Sequence, residues 1–147
     1  MEIFEALRED HDTQRDLLAR LVETEGNTQT RRDLLRLTRN ALVHHEVAEE
    51  RYFYTPLMEA DLTQEQARHS IAEHHEIDEL IKTLESTDPS ATAWLGHARK
   101  LQELVTHHLD EEEHQVFQQA GKVLGDEEKR DLARRYRRKM KEQAVGD

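Results

Sequence analysis

The sequence predicts an all-α protein: an antiparallel up-down-up-down four-helix bundle with a short C-terminal fifth helix. Three observations carry that reading. Apolar residues recur at three-and-four spacing through most of the chain, glycines and prolines number only five and two in 147 residues, and no stretch keeps the alternation of a strand. Long helical segments joined by short connections pack most simply as such a bundle.

The first helix covers roughly residues 2–24, with Phe4, Leu7, Leu18 and Leu21 on one side, and gives way to the turn-forming stretch EGNTQT. The second starts near residue 29 and runs into the fifties. Pro56 is expected to kink or end it near Tyr54 or Thr55, because proline lacks an N–H and crowds the preceding turn. DLTQEQ restarts the chain, with Thr63 and Gln66 at capping-box spacing for the third helix. That helix closes near Ser86, in the STDPS turn around Pro89, and the fourth extends from about 91 to 120, before Gly121 and Gly125. Asp126 is placed to cap a strongly basic fifth helix, EEKRDLARRYRRKMKEQ. The expected organisation is a bundle over residues 1–124 and a basic helix and tail over 125–147, lying across the bundle or protruding from it.

Composition narrows the function. The length suits one domain with one core. Charged residues make up 36% and hydrophobic ones 35%, a balance that would suit disorder if the apolar residues were scattered rather than periodic. A formal net charge of -11 repels nucleic-acid backbones and anionic membranes, so neither is expected as a partner, and favours cations. With no cysteine, a metal site must be built from nitrogen and oxygen. No run approaches about 18 apolar residues and MEIFEALRED lacks the regions of a signal peptide, so a cytoplasmic protein is expected.

An internal repeat sets the register. Shifted by 63 positions, HHEVAEERYFY from His44 falls on HHLDEEEHQVF from His107. The same shift carries Asp10 onto Glu73, His11 onto His74, Leu17 onto Leu80, Leu18 onto Ile81 and Leu21 onto Leu84. A duplicated helix pair closes with pseudo-twofold symmetry and sets equivalent residues opposite each other: His11 with His74, His45 with His108, Glu49 with Glu112.

Helical geometry tests the choice, since each residue turns about 100° and the apolar positions mark the core side. In the fourth helix Leu101, Val105 and Val116 cluster, with His108 and Glu112 among or beside them, while His107 and His114 face away and Glu111 and Glu113 flank the stripe. In the second, His45 and Tyr52 share the side of Leu34, Ala41 and Ala48, with Glu49 close by. In the third, His74 lies nearer Ile77, Ile81 and Leu84 than His75 does, and in the first His11 follows Phe4, Leu7 and Leu18. Four of the six inward groups form two HxxxE pairs, one turn apart on a shared face. His69, His97 and His114 are read as ordinary hydrogen-bonded histidines.

Six buried polar groups ask for compensation. Each unpaired one costs roughly 1 to 3 kcal/mol, and a carboxylate several, against a typical total stability of about 5 to 15 kcal/mol. No Lys or Arg faces the core at the matching levels, so the compensating charge is most simply a metal ion. Four imidazoles with two carboxylates suit iron, manganese or zinc, whereas calcium and magnesium want more oxygen. Two symmetric halves imply two ions. With both glutamates bridging, the protein supplies about eight of about twelve bonds that two octahedral ions need, leaving room for a solvent bridge and a small ligand.

The pattern His11, His45-x-x-x-Glu49, His74, His108-x-x-x-Glu112 resembles the hemerythrin-like, HHE cation-binding family over about residues 4–120. The stretches EDH, HHEVAEE, AEHHEID and HHLDEEE carry the likeness. The resemblance implies two non-haem iron ions with an oxo or hydroxo bridge. It also implies cytoplasmic roles in binding or reducing dioxygen, peroxide or nitric oxide, in sensing, or in stress protection. The sequence departs from the oxygen-carrying hemerythrins, which have HxxxH on the third helix and HxxxxD on the fourth; here His69 and His74 are five apart and the fourth helix offers HxxxE. That departure shifts the expectation from reversible carriage towards catalase- or peroxidase-like turnover, with a non-catalytic iron or oxygen sensor as the alternative, its basic fifth helix docking a protein partner. Glu46 and Tyr52 are further candidates near the site: Glu46 lies well off the core stripe, and Tyr52 is read chiefly as core filling.

Overall fold

The apolar stripe of each helix is the face it turns to its neighbours. In the computed structural model, which describes residues 1–146, α1 (Ile3–Leu21) opens with the Glu2 backbone N–H donating to Glu5 at 3.1 Å. The chain then turns at Gly26, whose φ of 58° is left-handed and costs glycine nothing. Thr28 caps α2 (Gln29–Glu49), its hydroxyl accepting the Arg31 N–H. Arg31 turns inward, lies 4.0 Å from the Trp94 ring and donates to the carbonyl of Pro89 at 2.6 Å and of Thr24 at 2.5 Å. This buried cation ties together the loops at one end of the bundle.

Pro56 does not end the second helix. α2 widens into a π segment, Glu50–Tyr54, in which the Thr55 N–H reaches back five residues to the Glu50 carbonyl, and runs on as α3 (Thr55–Met58) with Pro56 in its first turn. A second π segment, Glu112–Val116, stands at the equivalent place of the repeat, between α5 (Thr92–Glu111) and α6 (Phe117–Val123). No proline occurs there, so the widening follows the repeat and not Pro56. α4 (Gln64–Glu85) starts after Thr63, but the expected capping box with Gln66 is absent, because the Thr63 hydroxyl turns inward and donates to the Leu57 carbonyl at 2.7 Å. Gly125, and not Asp126, is the N-cap of α7 (Asp126–Val145). α7 packs along α1 and α2 and buries Leu132, Ala133 and Tyr136.

α1, α2, α4 and α5 form the bundle. Its apolar core falls into two clusters, one around Ile3, Leu7, Phe53, Leu57, Phe117 and Tyr136, the other around Leu18, Leu42, Ile81, Leu84, Trp94 and Leu101. Reading along each bundle helix, a histidine separates the two: His11 between Leu7 and Leu18, His45 between Leu42 and Phe53, His74 between Ala67 and Ile77, His108 between Val105 and Val116. The polar groups therefore form one layer inside the bundle. None of the described helices is long and apolar enough to cross a membrane.

Candidate metal centre

All six residues singled out by the repeat meet in that layer, and none is more than 2% exposed. They form two overlapping groups, His11, His45, Glu49 and Glu112 in one, and Glu49, His74, His108 and Glu112 in the other. Each glutamate sends one oxygen to each half. Glu49 Oε2 lies 3.4 Å from His45 Nε2 and 3.9 Å from His11 Nε2, and its Oε1 is 3.2 Å from His74 Nε2. Glu112 Oε1 lies 3.2 Å from His11 Nε2, and its Oε2 is 3.4 Å from His108 Nε2. Two ligand atoms about 2.1 Å from one ion and about 100° apart are separated by about 3.2 Å, so four of these five spacings match sharing of an ion.

The far side of every imidazole fixes its tautomer. Nδ1 of His11 meets Glu113 at 2.7 Å, that of His74 meets Glu50 at 2.8 Å, and that of His108 meets Glu73 at 2.8 Å. A carboxylate only accepts, so each Nδ1 carries the proton. His45 Nδ1 reaches the Tyr136 hydroxyl at 2.5 Å, and that hydroxyl donates onward to Asp10, so it accepts from the imidazole. These partners obey the repeat too: Glu50 corresponds to Glu113, and Asp10, relayed through Tyr136, corresponds to Glu73. With the protons outside, every Nε2 lone pair points into the layer.

Apart from Glu112 Oε2, which accepts from the Tyr54 hydroxyl, what then faces inward finds no hydrogen-bond donor. His11 Nε2, His45 Nε2, both Glu49 oxygens and Glu112 Oε1 have no hydrogen-bond partner, and His74 Nε2 stands 3.1 Å from His108 Nε2, lone pair against lone pair. Cations resolve all of this at once. Without a metal the layer attracts protons: burial opposes charge on His74, yet Glu49 and Glu50 outweigh it and hold the pKa up at about 10. His108 is likewise held at about 10, against its burial, by Glu112 and Glu73. Glu49, despite its burial, is held well below the usual carboxylate range by His45, Glu112 and His11. The residues fit a dinuclear centre of four nitrogens and two bridging carboxylates, a donor set for iron, manganese or zinc.

Two other residues weighed from the sequence stand apart from both groups. Glu46 is buried beside Asp78, its carboxyl pushed up to about 10 by burial and by that neighbour. Tyr52 packs against the apolar core under the Arg51 guanidinium. The tyrosines that do reach the site are Tyr54, whose hydroxyl donates to Glu112 Oε2, and Tyr136. Tyr54 escapes the sequence pattern because the π segment inserts a residue into the register, so that Phe53 and Tyr54 turn inward where a regular α-helix presents Tyr52. Of the carboxylates behind the imidazoles, Glu113 is legible as a neighbour of the stripe, and Glu73 and Glu50 only as the repeat partners of Asp10 and Glu113. Arg31 is a core-facing cation that the pattern gave no sign of, but it sits at the far end of the bundle.

The sequence matches the hemerythrin HHE cation binding domain over residues 2–120. The fold is shared with the crystal structure of a hemerythrin HHE cation binding domain-containing protein from Mycobacterium kansasii, at a TM-score of 0.89 and 20% identity, covering 99% of this chain and 89% of that one. The sequence has no match among the curated proteins. A domain match over most of the chain, on a bundle whose inward histidines and glutamates form two overlapping cation-sized groups, shows that this chain belongs to the hemerythrin HHE cation-binding domain family.

Proposed function

We propose that the protein is a dinuclear non-haem iron protein that binds or reduces small oxygen species, dioxygen or peroxide, with nitric oxide as a third ligand class, in protection against oxidative or nitrosative stress. His11 and His45 would hold one ion and His74 and His108 the other, with Glu49 and Glu112 offering an oxygen to each. The single observation that carries this reading is the set of inward-facing donor atoms left without any partner. Two iron ions, when bound, supply the electrons for reduction and open positions for a small ligand.

The chain's own residues set the conditions. Glu113, Glu50 and Glu73 hold the Nδ1 protons and so orient His11, His74 and His108 and raise their basicity. His11, and after it Arg15 at 2.9 Å, keep the Glu113 carboxylate ionised, its pKa brought down to about 2 against the effect of burial. The Tyr54 hydroxyl, donating to Glu112, keeps a proton beside the bridge, because burial and the charges of Glu112 and Glu49 push its pKa well up. The two apolar clusters exclude bulk water from both sides of the layer.

Anaerobic loading with Fe(II) followed by peroxide or dioxygen tests the reading. Two irons per chain, a new near-ultraviolet absorption and catalytic loss of peroxide are expected, and two bound irons without any spectral change would overturn it. The depth of burial of all six residues favours one second reading, a non-catalytic iron or oxygen sensor. Its signature is a spectral change without sustained peroxide turnover.

A further inference from the structure

The repeat is broken at one place on the surface. Glu73 gives Oε1 to His108 Nδ1 at 2.8 Å and turns Oε2 outward, 3.5 Å from His69 Nε2. His69 Nε2 also lies 3.3 Å from Glu111 Oε1, and the three ligand atoms fall within 4.8 Å of one another. His107 Nε2 holds the other oxygen of Glu111 at 3.2 Å. Glu73 is 7% exposed, whereas the side chain of His69 is 56% exposed. The group is therefore open to solvent on one side and anchored in the core on the other.

Neither composition nor duplication accounts for it. The repeat partners of His69 and Glu111 are Ala6 and Ala48, and the partner of Glu73 is Asp10. Asp10, in contrast, accepts a hydrogen bond from the Tyr136 hydroxyl of α7. Only in the second half do an imidazole and a further glutamate stand beside the carboxylate.

We propose that His69, Glu73 and Glu111 form a third, outer site for a borderline divalent cation such as Fe2+ or Zn2+, with His107 orienting Glu111. One imidazole and two carboxylates on one side of an ion leave its remaining positions to water, as suits an ion exchanging with solvent. Glu73 couples this site to the inner layer, since its two oxygens serve one ion and the Nδ1 proton of His108. The proposal stands on residues outside the dinuclear set and does not require that set to be filled.

Equilibrium dialysis of the metal-free full chain against Co2+, with the visible spectrum recorded, tests it. Three ions per chain are expected, falling to two in His69→Ala and in Glu111→Gln, with affinity at the outer site down by about tenfold or more. The exposed His75→Ala is the control and keeps three. Two ions in the native chain, both lost in Glu49→Ala/Glu112→Ala, would overturn the outer site and leave the dinuclear reading intact. One ion, lost in His69→Ala, supports the outer site and counts against the dinuclear reading instead. A third ion that persists in both His69→Ala and Glu111→Gln overturns this assignment. His69 and His75 lie at the surface and Glu111 is half-buried, whereas Glu49 and Glu112 are buried, so far-UV circular dichroism of every variant checks that it folds.

Discussion

At the scale of single residues, one stretch of the fourth bundle helix separates the inner donors from their neighbours. His108 and Glu112 are 2% and 1% exposed, while His107 points outward and His114 bonds the Asp110 carbonyl. His108→Ala and Glu112→Ala are expected to lose tightly held metal, and His107→Ala and His114→Ala to retain it, as elemental analysis of the purified variants will show. Equal loss from all four would refute the register. Tyr136→Phe removes only a hydroxyl, but leaves the His45 Nδ1 proton and Asp10 without the group that joins them. Metal affinity is expected to fall by about 10- to 100-fold, measured by chelator competition. The six inner residues were legible because two independent periodicities, the 63-residue repeat and the helical turn, select the same positions. Tyr136 obeys neither: it comes from outside the repeat, and only the packing of α7 brings it to the layer.

At the scale of elements, the sequence marks where helices lie better than how they are wound. A hydrophobic stripe assumes a constant turn per residue, and each π segment breaks that assumption, one starting just after Glu49 and the other at Glu112. Pro56 was a visible cue at the right place, yet its repeat-equivalent region widens without a proline. The fifth helix was recognisable from its charge, but its buried side, Leu132, Ala133 and Tyr136, is too short to fix a docking face in advance. Because that side covers α1 and α2, removing residues 126–147 is expected to lower the thermal midpoint and weaken metal retention together. Leu132→Ala separates the two effects: a cost of about 2 kcal/mol in chemical denaturation, with iron content unchanged. If truncation leaves both stability and affinity intact, α7 has no part in supporting the site.

At the scale of the whole molecule, the bundle was legible because duplication leaves a mark that no single helix carries: equivalent residues must face each other for the two halves to close. The consequence is a core divided by a polar layer, whose stability depends on what neutralises it. Bound metal stabilises the folded state by about 4 kcal/mol per site at a free concentration a thousand times the dissociation constant, so chelation is expected to lower the thermal midpoint markedly. The pH dependence adds a sharper test. In the metal-free protein the folded pKa values of His74 and His108 lie at about 10, above the ordinary value of 6.5. Their contribution is therefore present in full below about pH 6.5 and is lost as pH rises towards about 10. With metal bound, Nε2 is already deprotonated, and rising pH only removes the competing protons, so affinity increases over the same range. The difference in thermal midpoint between metal-bound and metal-free protein should widen steadily from about pH 6.5 upward, as scanning calorimetry on matched samples will measure. A gap that stays constant across that range would mean that the bound ions do not sit on the Nε2 atoms of the central layer.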